Sequence, residues 1–201
     1  MINVKKITDL QYFAVELWHN DKFDISESQD GFLALVLEQH RHNYNLWHEE
    51  DIARSPDVGD IEVARVKRSI DKLNQMRNDW IEKLDAVIID RLDEAQVVPR
   101  SDAGLNTETP GSAIDRLSIM SLRIYHLREQ LERQDTTPEH RRNVSERLKR
   151  CFQQHTDLSQ SLTELLEDLF EGRKYLKVYH QFKMYNDPSM NPYLYNRKKP
   201  A

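Results

Sequence analysis

From Val144 to Leu169 the apolar positions recur at alternating steps of four and three: Val144, Leu148, Cys151, His155, Leu158, Leu162, Leu165 and Leu169. Seven such intervals in a row fit one face of an α-helix, whereas a strand would repeat every second residue. No other pattern in the chain is as regular, and it confines the fold to helices packed along their lengths. Composition agrees. Five glycines in 201 residues leave few positions free for left-handed turns, and Leu, Glu, Lys, Arg and Gln, all good helix formers, dominate.

Cap signals divide the rest. The first helix is expected to start at Thr8 or Asp9, carry Leu10, Phe13, Ala14, Leu17 and Trp18 on one face, and stop at Asn20-Asp21. Ser26-Glu27-Ser28-Gln29 reads as a capping box for a second helix from about residue 27 to 54, which Ser55-Pro56 ends. Asp57 or Asp60 caps a third, about 58–96, with Ile70, Leu73, Trp80, Leu84 and Val87 as its buried face. Residues 97–108 form a loop long enough to suspect a role in binding. Thr109-Pro110 and Thr137-Pro138 each place a capping oxygen before a proline at the first helical position. Gly172 is placed to end the fifth helix in left-handed geometry. The expected architecture is all-α: an antiparallel bundle of five long helices over residues 1–172, then a short aromatic and basic extension over residues 173–201.

That extension holds seven Lys or Arg against one acid, Asp187, so a net charge of −5 for the chain leaves −11 on residues 1–172. An acidic body of this kind is not expected to bind nucleic acid, which needs phosphates neutralised. A short sixth helix to about Tyr185 is expected, and Tyr175, Tyr179, Phe182, Tyr185, Tyr193 and Tyr195 are read first as an aromatic arm packed across the bundle and second as a contact for nucleic acid or an acidic partner by stacking and charge. Cys151 is the only cysteine, which excludes an intrachain disulfide and a Cys-based zinc site. With no apolar leader at the N-terminus and no run of ~18 apolar residues, the expectation is a cytoplasmic protein without a membrane span.

The second helix changes character along its length. Phe32, Leu33, Leu35, Val36 and Leu37 give way to Asn43-Tyr44-Asn45-Leu46-Trp47-His48-Glu49-Glu50-Asp51-Ile52-Ala53-Arg54. Consecutive helical residues point ~100° apart, so this cluster divides between two faces. Asn43, Trp47, Glu50 and Arg54 share one; Tyr44, His48 and Asp51 share the next. On the third helix Asp71, Asn74, Asn78, Glu82 and Asp85 form a polar stripe beside the apolar one, and on the fourth Asp115, Ser118 and Tyr125 lie on a polar face. His155, on an apolar seam, is read as a core residue; His40 and His42 near Glu38 make a weak metal site; Glu16-Leu17-Trp18-His19 is the one Glu-x-x-His pair, short of the two that a di-iron bundle needs.

The motifs Leu46-Trp47-His48-Glu49-Glu50-Asp51-x-Ala53-Arg54, Asn74-Gln75-x-Arg77-Asn78-Asp79-x-Ile81-Glu82 and Glu108-Thr109-Pro110-Gly111-Ser112-x-Ile114-Asp115-Arg116-Leu117-Ser118-Ile119 resemble a bacterial family of about 200 residues filed as a domain of unknown function. The resemblance brings no established activity; it implies a loose link to surface-polysaccharide synthesis. It also groups the three polar faces. One ligand site is therefore expected from Asn43, Trp47, His48, Glu50, Asp51, Arg54, Asp71, Asn74, Arg77, Asn78, Asp115, Arg116, Ser118 and Tyr125. Arg54, Arg77 and Arg116 suit a phosphate or carboxylate.

The leading expectation is a protein that binds a small polar or anionic ligand, or a protein partner, in a cleft between the second, third and fourth helices, with no cofactor and no demonstrable catalysis. The alternative is a divalent-metal hydrolase, with Mg or Mn held by Glu49, Glu50, Glu82 and Asp85. It rests on a partial likeness to the all-alpha nucleotide pyrophosphatases, whose acid motif is incomplete here because Ala53 stands where a third acid would be. A second alternative is a homo-oligomer that pairs the fifth-helix seam between chains.

Overall fold

The computed structural model describes residues 2–20, 31–179 and 184–195. Five helices dominate: α1 (Val4–His19), α2 (Gly31–Arg54), α3 (Asp60–Glu94), α4 (Pro110–Glu132) and α5 (Pro138–Phe170). They are joined by a two-stranded parallel pairing of β1 (Gly104–Asn106) with β2 (Lys174–Leu176), in which Leu105 lies opposite Tyr175. A 3-10 turn (Met184–Asn186) and a one-turn helix, α6 (Pro192–Tyr195), complete the described chain. No helix among the described residues is long and apolar enough to cross a membrane.

Local chemistry fixes most boundaries. Thr109 and Thr137 accept from the backbone N–H of Ser112 (3.2 Å) and His140 (3.1 Å), and the prolines after them fill the first helical position. Gly172 ends α5 with φ +69°, and its carbonyl accepts from the Arg100 amide at 2.9 Å, which ties the 97–108 loop to the end of α5. The first helix starts earlier than expected. Asn3 caps it through a bond from the Lys6 amide (3.0 Å), while Thr8 turns back on its own helix to Lys5 O. Gly59, not Asp57 or Asp60, is the cap of α3. The expected capping box at Ser26–Gln29 lies outside the described residues.

Residues expected to begin a sixth helix form β2 instead, because the loop after α3 offers them a strand partner. Beyond it Tyr179, Tyr185 and Tyr193 are exposed rather than packed across the bundle, and Phe182 lies outside the described residues.

Every long helix contributes to one core: Ile7 from α1, Leu37 from α2, Leu84 and Ile88 from α3, Ile114 and Leu117 from α4, Leu162 and Leu166 from α5. Each such side chain contributes roughly 1.5–3 kcal/mol on burial. On α5 the seam positions Val144, Cys151, Leu162, Leu165 and Leu169 are buried within the single chain. α2 packs most extensively on α3, and α4 on α5.

The first turn of α4 lies hard against α3. A Cβ on Gly111 would stand 2.6 Å from the Ile81 carbonyl oxygen and 2.8 Å from the Asp85 carboxylate. That closeness lets the Gly111 N–H donate to Asp85 at 2.6 Å, so α3 supplies an anion to the positive end of α4. Gly111→Ala is expected to cost about 3 kcal/mol, the upper end of overpacking, because backbone cannot rotate out of the way. Gly104→Ala, which meets nothing within 4 Å, should be near neutral. Urea unfolding of the two variants beside wild type checks the difference; equal midpoints would show that the helices part freely.

Candidate functional site

Asp115 on α4 is buried, 3% exposed, and is the centre of a polar network linking four helices. Its Oδ1 accepts from Gln39 Nε2 (2.7 Å) and Asn43 Nδ2 (2.9 Å) of α2, and from Arg77 Nε (2.7 Å) of α3. Arg77 Nη2 donates to the other oxygen, so the guanidinium grips the carboxylate with two bonds. Asn43 Nδ2 also reaches Ser118 Oγ at 2.8 Å, which lies 2.7 Å from His40 Nδ1. His40 Nε2 lies 3.0 Å from the Gln11 carbonyl oxygen on α1.

The direction of these bonds follows from what each group can do. A backbone carbonyl only accepts, so His40 Nε2 carries the proton and Nδ1 of the neutral ring accepts from the Ser118 hydroxyl. Ser118 in turn accepts from Asn43. Complete burial pushes His40 down to about 3, which keeps it neutral near pH 7.

Above this network lies a cavity of about 390 Å³ lined by α2, α3 and α4: Asn43, Leu46, Trp47, Glu50, Asp51, Arg54, Asn74, Arg77, Ile119 and Leu122. The structure thus brings seven of the expected ligand residues together here: Asn43, Trp47, Glu50, Asp51, Arg54, Asn74 and Arg77. Asp115 and Ser118 bond to its lining residues Asn43 and Arg77. The other five lie elsewhere. Asp71 is exposed and paired with Lys67. Arg116 is exposed and paired with Glu108 at 2.6 Å. Asn78 lines a smaller cavity with Glu82, Asp85 and Thr109. His48 and Tyr125 face away from the cleft into an aromatic cluster with His19, Tyr44 and His126.

The electrostatics differ from the expected anion site. Arg77 is committed to Asp115, Arg54 to Glu50 on the preceding turn, and Arg116 to Glu108. All three cations are already met by carboxylates, and the Asp115 hydrogen bond pushes Arg77 further up. Acceptors, in contrast, are in surplus: the buried amide oxygens of Asn43 and Gln39 have no hydrogen-bond partner among the described residues. The acids of the metal alternative do not share one cavity, and Glu49 lines neither the cleft nor the smaller cavity. Glu50 lines the cleft, whereas Glu82 and Asp85 line the smaller cavity by the start of α4. Burial pushes Asp85 up to about 6, against the Thr109 hydroxyl and the Gly111 N–H, which pull it down.

Sequence reading missed Gln11 and Gln39 and weighed His40 only as a weak metal ligand with His42, although Val36, His40, Asn43 and Trp47 continue one helical face and hint that an apolar seam turns polar. It weighed His19 only in a Glu-x-x-His pair and left His126 ambiguous between core residue and ligand; that the two meet is something no spacing within one helix reveals.

Fold and network define an all-α bundle whose helices are joined through a buried carboxylate beneath a cleft between α2, α3 and α4. The family model described as Protein of unknown function (DUF4254) matches residues 33–178, and the chain belongs to that family. The match takes in all three polar motifs and both strands. Comparison with curated proteins and with solved structures found no match.

Proposed function

We propose that this protein binds a small, uncharged, hydroxyl-rich molecule in the cleft between α2, α3 and α4. The observation that carries this reading is the balance of lining groups. Every expected arginine is met by a carboxylate, while Asp51 and the Glu50 oxygen that Arg54 does not hold remain as acceptors in the cleft beside Trp47. A phosphate at Arg54 would compete with Glu50 and would meet Asp51 besides, and Arg77 is held by Asp115. A ligand that donates O–H bonds meets acceptors directly. A volume of about 390 Å³ suits a small ligand. A sugar is the simplest member of this class, which accords with the link to surface-polysaccharide synthesis implied by the family resemblance. A cytoplasmic setting and an antiparallel run of helices, both expected from sequence, belong to the same reading.

The test is a titration of the full chain with neutral hexoses and with inorganic phosphate, followed by backbone NMR shifts of residues 43–54 and 74–77. Hexose-induced shifts that Trp47→Ala and Asn74→Ala weaken at least ~10-fold are expected, as loss of about 1.4 kcal/mol each would give. Tighter binding of phosphate than of every hexose would overturn the reading.

A further inference from the structure

The geometry points to a transition-metal site formed by His19, His48 and His126, which adjoins the cleft through Trp47 but does not rest on the ligand reading above. The three residues come from the end of α1, the polar half of α2 and the last third of α4. One ring nitrogen of each lies within 4.8 Å of those of the other two. Three imidazoles from three helices are thus close enough to share one ion.

Hydrogen bonding selects the nitrogen that each ring presents. His19 Nδ1 donates to the Val15 carbonyl at 2.8 Å. His126 Nδ1 donates to the Glu129 carboxylate at 2.6 Å. Neither partner can donate back, so in both neutral rings Nε2 carries the lone pair. His19, His48 and His126 all have a buried Nε2 without a partner among the described residues. Buried acceptors are normally satisfied; the Nε2 lone pairs of His19 and His126, joined by that of His48 in the tautomer with its proton on Nδ1, can share one electron-pair acceptor. A metal ion is such a group. The Val15 carbonyl and the Glu129 carboxylate are then the outer partners that a ligating histidine ordinarily has, holding ring and tautomer in place.

The surroundings suit a cation. Tyr125 stacks on His19 with ring centres 4.0 Å apart, and Trp47 stacks on His126 at 4.8 Å. These rings restrain the imidazoles from the side, and Glu129, Glu16 and Asp51 place negative charge nearby. Three nitrogen ligands exclude a preference for magnesium or calcium, which take oxygen, and favour zinc or a neighbouring late divalent ion. At Zn–N distances of ~2.0–2.1 Å, tetrahedral ligands stand ~3.3 Å apart, so the rings need close only modestly. Three protein ligands leave a fourth position for water or substrate.

The experiment is isothermal titration of chelator-stripped full-length protein with Zn²⁺ and with Mg²⁺, paired with visible absorption after Co²⁺ loading. One Zn²⁺ per chain, no Mg²⁺ uptake and a tetrahedral Co²⁺ band are expected. His48→Ala and His126→Ala should each weaken Zn²⁺ at least ~100-fold and abolish the band. Glu129→Gln, which leaves the three ligands in place, should weaken it ~10-fold or more. Circular dichroism accompanies each variant; if an alanine variant unfolds, the Glu129→Gln titration and the wild-type stoichiometry decide. Wild-type protein that takes up no zinc at micromolar concentrations would overturn the site, as would zinc affinity unchanged by loss of either histidine.

Discussion

Arg77→Ala should lower stability by about 3 kcal/mol, more than loss of any surface ion pair in the protein. Asp115 is 3% exposed and its carboxylate lies among α2, α3 and α4, so the charge cannot turn to water when its partner is removed. Gln39 and Asn43 would still donate to Oδ1, but amide dipoles do not replace a cation. Breaking a buried pair in this way typically costs 3–5 kcal/mol; the lower figure applies because the Arg77 side chain is itself 26% exposed. Replacing both partners is a different case. In Arg77→Met with Asp115→Leu the buried charge is gone and apolar volume takes its place, so the double variant should be closer to wild type than the sum of the single losses. Urea midpoints at constant slope for the two single variants and the double give the coupling. A strictly additive result would mean that Asp115 is solvated by other means and that the network does not act as a unit. Glu50–Arg54, with Arg54 mostly exposed, should by contrast contribute little to stability, so its variants can probe the cleft without unfolding it.

How much of this was legible beforehand depended on the range of each interaction. Starts at Thr109-Pro110 and Thr137-Pro138, and the stop at Gly172, are written in adjacent residues and need no partner. The α5 seam is likewise local, since its period is a property of one helix. β1 and β2 are three residues each and are separated in sequence by the whole of α4 and α5, so neither segment carries the other's signal. Asn3 and Thr8 show how local signals compete: both can cap a helix, and the structure caps with Asn3, so that Val4 and Ile7 add to the core.

The polar stripe on α3 shows why a shared face is weaker than a shared site. Asp71, Asn74, Asn78, Glu82 and Asp85 do follow one side of the helix, but at 1.5 Å per residue the two ends are ~21 Å apart. Asn74 reaches the cleft, Asp85 caps the start of α4, and Asp71 stays in solvent. On α2 the division of Trp47, Glu50 and Arg54 from Tyr44 and His48 follows directly from the ~100° step between residues. Asp51 lies on the cleft side of that division, although spacing groups it with His48. The histidine trio was beyond sequence reading altogether, because its members are 29 and 78 residues apart and converge only when α1, α2 and α4 pack.

Acid should destabilise the protein through His40, and this is the second large effect. In the unfolded chain the ring titrates near its ordinary 6.5, whereas in the fold burial holds it at about 3. The unfolded state therefore binds the extra proton first. Stability is full above pH 6.5 and is lost as pH falls from there toward 3, by about 1.4 kcal/mol per pH unit and by roughly 5 kcal/mol in all. Asp85 acts with the opposite sign: raised from 3.8 to about 6, it adds stability as pH falls through that interval and so masks part of the loss. The two are separated by substitution. His40→Gln keeps an N–H for the Gln11 carbonyl but cannot titrate, so the variant should be less stable at pH 7 yet flatter in its pH profile. Between pH 6.5 and 4.5 the gap between wild type and variant should narrow by about 3 kcal/mol. Asp85→Asn, with the opposing contribution removed, should steepen the loss in acid. Unfolding free energies at half-unit pH steps for the three proteins measure both slopes. Parallel wild-type and His40→Gln profiles would show that the ring accepts its proton without opening the bundle, and that the bond network from Gln11 to Ser118 rearranges around the charge.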